Sequence, residues 1–178
     1  MTSQPLTNWA RNIVFEPASV ARPRSRVELA EVLASASSVR VLGTGHSFSP
    51  VCSTDGTLLS LADLPVSIEV DVEAQRAVVG GPLRWGDIAP VLDGHGVALH
   101  NMGSLPHISV AGSASTGTHG TGSALGCLAT AVRGVELMTA DGSVRWIREG
   151  DDGFYGSVVA LGMLGAVLSV ELAAEPAY

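Results

Sequence analysis

Apolar residues recur along this chain with two different periods, and the switches between them outline its elements. Between Arg26 and Ala36, Val27, Leu29, Val32 and Leu33 form a stripe of helical period. Ser25, three residues ahead of Glu28, supplies a capping box. A helix is predicted there. The β-branched run Val39–Leu42 predicts a strand, as does Thr57–Leu61. Ser67–Asp71 and Arg76–Val79 flank a turn at 72–75 and predict a hairpin. Arg84–Gly94 reads as a helix despite Pro90, ended by Gly94 or Gly96. Thr130–Thr139 predicts a strand, followed by the turn Ala140-Asp-Gly142 and a second strand at Ser143–Arg148. Asp151–Leu161 predicts a helix, with Asp151 or Asp152 near its start. Ala166–Ala173 alternates apolar and polar residues as a strand does. The order is that of an α+β fold, not a repeating βαβ array. Two α+β subdomains are expected, at about 1–80 and 81–178, within one domain.

Composition narrows the function classes. Hydrophobic residues make up 46% and charged residues 15%, which excludes a disordered chain. Twenty-one glycines stand beside three tryptophans, two tyrosines and three phenylalanines, a balance that suits a loop-rich binding scaffold. A net charge of −7 disfavours nucleic acid as a partner. No run is apolar over membrane-spanning length, and Met1 to Leu6 lacks the charged-then-apolar pattern of a leader. Cys52 and Cys127 have neither metal-site nor redox spacing. A reducing, cytoplasmic setting is the simplest expectation.

The candidate chemistry sits in two glycine-rich loops. Strand Val39–Leu42 runs directly into Gly43-Thr-Gly-His-Ser-Phe48. Glycines there permit a tight turn and close backbone approach to a ligand, and successive N–H groups can form a nest for an anion such as a diphosphate. The second loop, His100 to Gly122, is almost entirely small, hydroxylated or glycine residues, suited to wrapping a long polar cofactor. The first lacks the third glycine of a dinucleotide fingerprint and no long helical pattern follows it directly. A P-loop is absent, and Gly45-His-Ser-Phe-Ser49 fails the hydrolase elbow. His100, His107 and His119 have no acidic residue among them, so no metal site is expected.

Together these loops resemble the FAD-binding domain of the vanillyl-alcohol oxidase and p-cresol methylhydroxylase superfamily, and within it the alditol (xylitol) oxidases, with sugar-lactone oxidases next. The residues that carry the likeness are Leu42 to Phe48, Asn101 to Gly112 and Thr116 to Gly122. Leu161-Gly-Met-Leu-Gly-Ala-Val167 and Asn8-Trp-Ala-Arg-Asn-Ile13 add to it. The resemblance implies a cofactor, FAD, lying between the two subdomains.

It also implies roles. His46 would bond to the 8α-methyl of the flavin. Gly43, Thr44, Gly45, Ser47 and Phe48 would hold the diphosphate through neutral donors. Ser109, Gly112, Ser113, Thr116, Gly117, Thr118, His119 and Gly120 would wrap the other side, and the backbone of Val167 would meet the adenine. Gly103 would leave room for oxygen at the reactive flavin edge, favouring an oxidase, and Ser104 would contact substrate hydroxyls. Members of the superfamily are more than twice this long. Their substrate domain follows the segment resembling Glu175-Pro-Ala-Tyr178, so an isolated cofactor domain is expected here. The parent reaction would oxidise a polyol or sugar alcohol with O2, giving H2O2. A sugar-lactone oxidase or dehydrogenase is one alternative. A non-catalytic FAD or nucleotide module acting with a partner chain is another, and a fold remnant without ligand a third.

Overall fold

A computed structural model describes residues 5–178. The leader reading at residues 1–4 lies outside them. The first sheet is parallel and three-stranded. It comprises β1 (Ser19–Ala21), β2 (Val39–Val41) and β3 (Thr57–Leu59), in the order β1-β3-β2. Helix α1 (Arg26–Ser35) joins the first two strands. The Ser25 hydroxyl accepts the Glu28 N–H at 3.1 Å, and the Glu28 carboxylate accepts the Arg24 N–H at 2.7 Å. The expected cap is therefore present, with its return bond displaced one residue outward. Leu29 and Leu33 are buried, whereas Val27 points to solvent at 69% exposure, because it lies off the stripe that meets the core.

The second sheet is antiparallel and five-stranded. Its strands are β4 (Ile68–Asp71), β5 (Arg76–Gly80), β7 (Val132–Met138), β8 (Val144–Arg148) and β9 (Ala166–Ala173), in the order β4-β5-β9-β7-β8. Helices α2 (Trp85–Gly94), α3 (Val110–Ser115) and α4 (Phe154–Val158) cover one face. Trp85, Ile88, Leu92, Val110 and Phe154 pack there against Val79, Val135, Val170 and Leu172. A small pair, β6 (Val97–Ala98) with β10 (Glu175–Pro176), lies apart.

Strands β7 and β9 serve both cores. Val135, Val170 and Leu172 face the helices, while Met138, Ala166 and Leu168 pack against Leu29, Leu33 and Leu59 of the first unit. An ion pair reinforces this joint. Arg26 reaches both oxygens of the buried Glu136 at 2.8 and 2.9 Å, and the Ser169 hydroxyl donates to the same carboxylate at 2.7 Å.

The structure departs from the sequence reading in three places. The sheets divide between Leu59 and Ile68, not near residue 80. Strand β5 pairs with β9, setting Val79 opposite Val170, so the hairpin joins the second sheet. The helix expected over Asp151–Leu161 is only Phe154–Val158, since Gly153 and Leu161 have positive φ and the Leu161 N–H turns away to the Ser115 carbonyl. Helix α3 forms inside the glycine-serine run, because Val110 and Ala114 are buried against the sheet. Among the described residues no helix is long and apolar enough to cross a membrane.

Candidate functional site

A cleft of about 440 Å³ opens between the two sheets, within the range of preformed ligand and cofactor sites. The loop after β2 forms one wall, from Leu42 to Phe48. Ser109 and helix α3 form the opposite wall, through Gly112, Thr116 and their neighbours. Gly81 and Pro82 after β5, and the segment from Leu161 to Val167, close the ends. Gly45 makes the first wall turn, with φ of +70°, a conformation costly for most other residues. A Cβ on Gly112 would stand 2.6 Å from the Ser109 hydroxyl. Gly43 approaches the same hydroxyl, where a Cβ would stand 2.8 Å from it, so either Cβ would force the Ser109 side chain to turn away.

His46 is the most elaborately held residue of the cleft. Its Nδ1 lies 3.1 Å from the Thr44 hydroxyl, which itself accepts the Ser109 N–H at 3.1 Å. Trp9 stacks on the imidazole, with ring centroids 5.2 Å apart and planes 23° from parallel. The N-terminal segment clamps the same loop. The Trp9 N–H donates to the Gly45 carbonyl at 2.8 Å, and the buried Asn8 amide donates to the Ser47 carbonyl at 2.9 Å. His107 packs against the His46 ring at 4.7 Å. Burial lowers the His46 pKa, the neighbouring His107 and Arg84 lower it further, and a hydrogen bond with the Thr44 backbone opposes them. Together these shifts favour the neutral imidazole of His46, the form whose nitrogen can act as a nucleophile.

Of the residues expected at the site, Gly43, Thr44, Gly45, His46, Ser47, Phe48, Ser109, Gly112, Ser113, Thr116, Thr118 and Val167 line the cleft. Several of their hydroxyls are already engaged. Ser47 and Ser49 bond each other across a turn at 3.0 Å. Thr116 donates to the Gly112 carbonyl at 3.0 Å. Ser113 accepts the Trp85 indole N–H at 2.8 Å and donates to the Val110 carbonyl at 3.0 Å, so its hydroxyl belongs to the core. Gly117, His119 and Gly120 lie outside the cleft lining. Gly117 ends α3, and His119 and Gly120 are exposed. Gly103 and Ser104 also lie outside it, although Leu105 and Ile108 of the same segment line it.

Sequence reasoning missed Gly81, Pro82, Arg84, Cys52 and the residues after β3, Ser60 to Ala62, all of which line the cleft. No local signal marked them, because they arrive from different strands. Arg84 forms no ion pair among the described residues, and its positive charge reaches His46. Burial pushes the Cys52 thiol pKa up, against the pull of Arg40. No group of three metal-ligating side chains forms among the described residues.

The FAD binding domain family matches residues 17–148. This chain belongs to that family, in its vanillyl-alcohol oxidase type, a class of FAD-linked oxidoreductases. Within the class it is similar to the alditol oxidase of Streptomyces sp. (strain IKD472 / FERM P-14339), at 48% identity over 99% of this chain and 43% of that protein. It is also similar to the L-gulonolactone oxidase of Mus musculus, at 37% identity over 96% of this chain and 40% of that one. The L-gulono-1,4-lactone dehydrogenase of Mycobacterium tuberculosis (strain ATCC 25618 / H37Rv) is 34% identical over 97% of this chain and 41% of its own length. The chain thus spans about two fifths of the length of these relatives.

Proposed function

We propose that this chain is the FAD-binding part of a polyol oxidase of the alditol oxidase kind, with FAD in the cleft and bonded to His46. The observation that carries the reading is His46 itself, an imidazole biased to its neutral form and clamped by Thr44 and Trp9 on the wall of a cofactor-sized cleft. The residues present fit the group. Loop N–H groups between Gly43 and Phe48, with the cationic Arg84 on the same cleft, suit an anionic diphosphate. The apolar side chains of Leu42, Leu105 and Ile108 suit a flat ring system. Bound flavin supplies acceptance of a hydride from an alcohol carbon and transfer of two electrons to O2.

This chain's own part is to bind, orient and retain the cofactor. No Asp or Glu lines the cleft among the described residues, so the base for the alcohol proton is assigned to the part of the relatives' length that this chain does not match. The 48% identity to an alditol oxidase favours a polyol substrate. Identities of 37% and 34% to lactone-oxidising enzymes support a sugar lactone as the second reading.

Peroxide release tests the assignment. With FAD and a polypeptide supplying the relatives' remaining length, xylitol or sorbitol is expected to give more H2O2 per flavin than L-gulono-1,4-lactone. The reverse order refutes the polyol reading and supports the lactone one.

A further inference from the structure

Two buried ring nitrogens lack a partner in the structure, and they belong to neighbouring histidines. The Nε2 atoms of His46 and His107 are both shut off from solvent without a hydrogen bond. The two rings touch, with centroids 4.7 Å apart and planes at 52°. An unpaired buried polar atom carries a desolvation penalty of about 1–3 kcal/mol, so two of them side by side call for an explanation. His107 does not line the cleft, whereas His46 does. His107 therefore stands behind His46, and Trp9 packs against both rings, at 5.2 Å from His46 and 6.2 Å from His107.

We propose that His107 is a positioning residue for attachment of the flavin to His46, accepting the Nε2 proton of His46 as the opposite nitrogen, Nδ1, forms the covalent bond. The proposal rests on the attachment reading above. In contacting rings, one orphan nitrogen can be the N–H donor and the other the lone-pair acceptor. With the proton on Nε2, the Nδ1 lone pair is free apart from the hydroxyl hydrogen of Thr44, which yields to the incoming methyl carbon. The balance closes with dioxygen as oxidant. The Nδ1–C8α bond forms, while one C–H bond of the methyl and the Nε2–H bond of His46 break. The two protons released and two electrons leave through the ring system to O2, which becomes H2O2. His107 holds the His46 proton in transit.

The charged and titratable groups facing His46 are His107 and Arg84. Thr44 and Trp9, its other neighbours, do not titrate in the working range. His46 must be neutral to attack, and burial together with His107 and Arg84 favours that form.

The test uses the flavin-free chain, mixed with FAD and sampled over time for acid-stable yellow protein. It compares wild type with H107Q and H107F, with noncovalent FAD affinity measured in parallel by flavin fluorescence. The expected result is an attachment rate reduced about tenfold or more in both variants, with affinity within about threefold of wild type. In the flavin-free chain, an NMR titration of the His46 ring is expected to show its pKa raised in H107Q, since His107 is one of the groups that lower it. Equal attachment rates in wild type and H107F overturn the proposal. So does a rate loss that only follows lost affinity. Wild-type chain that binds FAD and never attaches it overturns the attachment reading itself, and the role of His107 with it.

Discussion

Removing the Arg26 side chain (R26A) should loosen the joint between the two sheets in a pH-dependent way. Glu136 has a side chain 9% exposed, while that of Arg26 is 56% exposed. Breaking a fully buried pair costs about 3–5 kcal/mol, because one charge is left stranded. Arg26 is half in water and Ser169 still donates to the carboxylate at 2.7 Å, so the expected loss is smaller, about 2 kcal/mol. For a chain of this size that is a Tm drop of about 4–8 °C.

The pH dependence separates this cause from lost packing. In wild type, burial pushes the Glu136 pKa up, but hydrogen bonds from Arg26 and Ser169 and the Arg26 charge outweigh it and hold the carboxyl below its ordinary value. Its contribution is therefore complete above the unfolded pKa of about 4.3 and is lost as pH falls through the folded value. In R26A, burial is opposed only by Ser169, so the pKa rises. The variant is penalised at neutral pH and relieved as Glu136 takes a proton. Thermal or urea melts of both proteins from pH 7 to pH 4 should show a gap that is largest at pH 7 and narrows with acid. A gap constant over that range refutes the electrostatic account and leaves only the packing of the Arg26 stem.

Three further outcomes follow from the same geometry. S113A strands the Trp85 indole N–H in the core and should cost about 1–3 kcal/mol in urea unfolding, because the Ser113 hydroxyl is that donor's acceptor. T44V removes the acceptor of the Ser109 N–H and the partner of His46 Nδ1. It should weaken FAD binding by about tenfold, read by fluorescence titration. N8A deletes bonds to the Ser47 carbonyl and the Asn12 side chain. It should free the N-terminal clamp, lower stability by about 1–2 kcal/mol and shift the emission of Trp9, which stacks on His46.

Much of the first wall was legible in the sequence, because β2, Gly45 and His46 are adjacent in the chain and their chemistry is local. The 68–80 hairpin was legible for the same reason, but the partner of β5 was not. Pairing with β9 joins residues about ninety positions apart, and no local pattern encodes it. Helix α3 was hidden by its composition. Val-Ala-Gly-Ser-Ala-Ser has weak helix propensity, and burial of Val110 and Ala114 stabilises it instead. The opposite error occurred at Asp151–Leu161, where Asp151 or Asp152 near the start suggested a longer helix than the positive φ at Gly153 and Leu161 allows. The histidines teach a similar lesson. Spacing grouped His107 with His100 and His119, whereas the fold places it against His46 and leaves His119 exposed.

The central claim is that His46 holds FAD by a covalent bond, and a visible absorption spectrum before and after acid precipitation tests it most directly. Chain purified with FAD is expected to be yellow, to keep its colour in the acid pellet, and to lose it from the pellet in H46A. Colour that leaves wild-type protein in the supernatant contradicts the bond, and chain that stays colourless with added FAD contradicts the cofactor site itself.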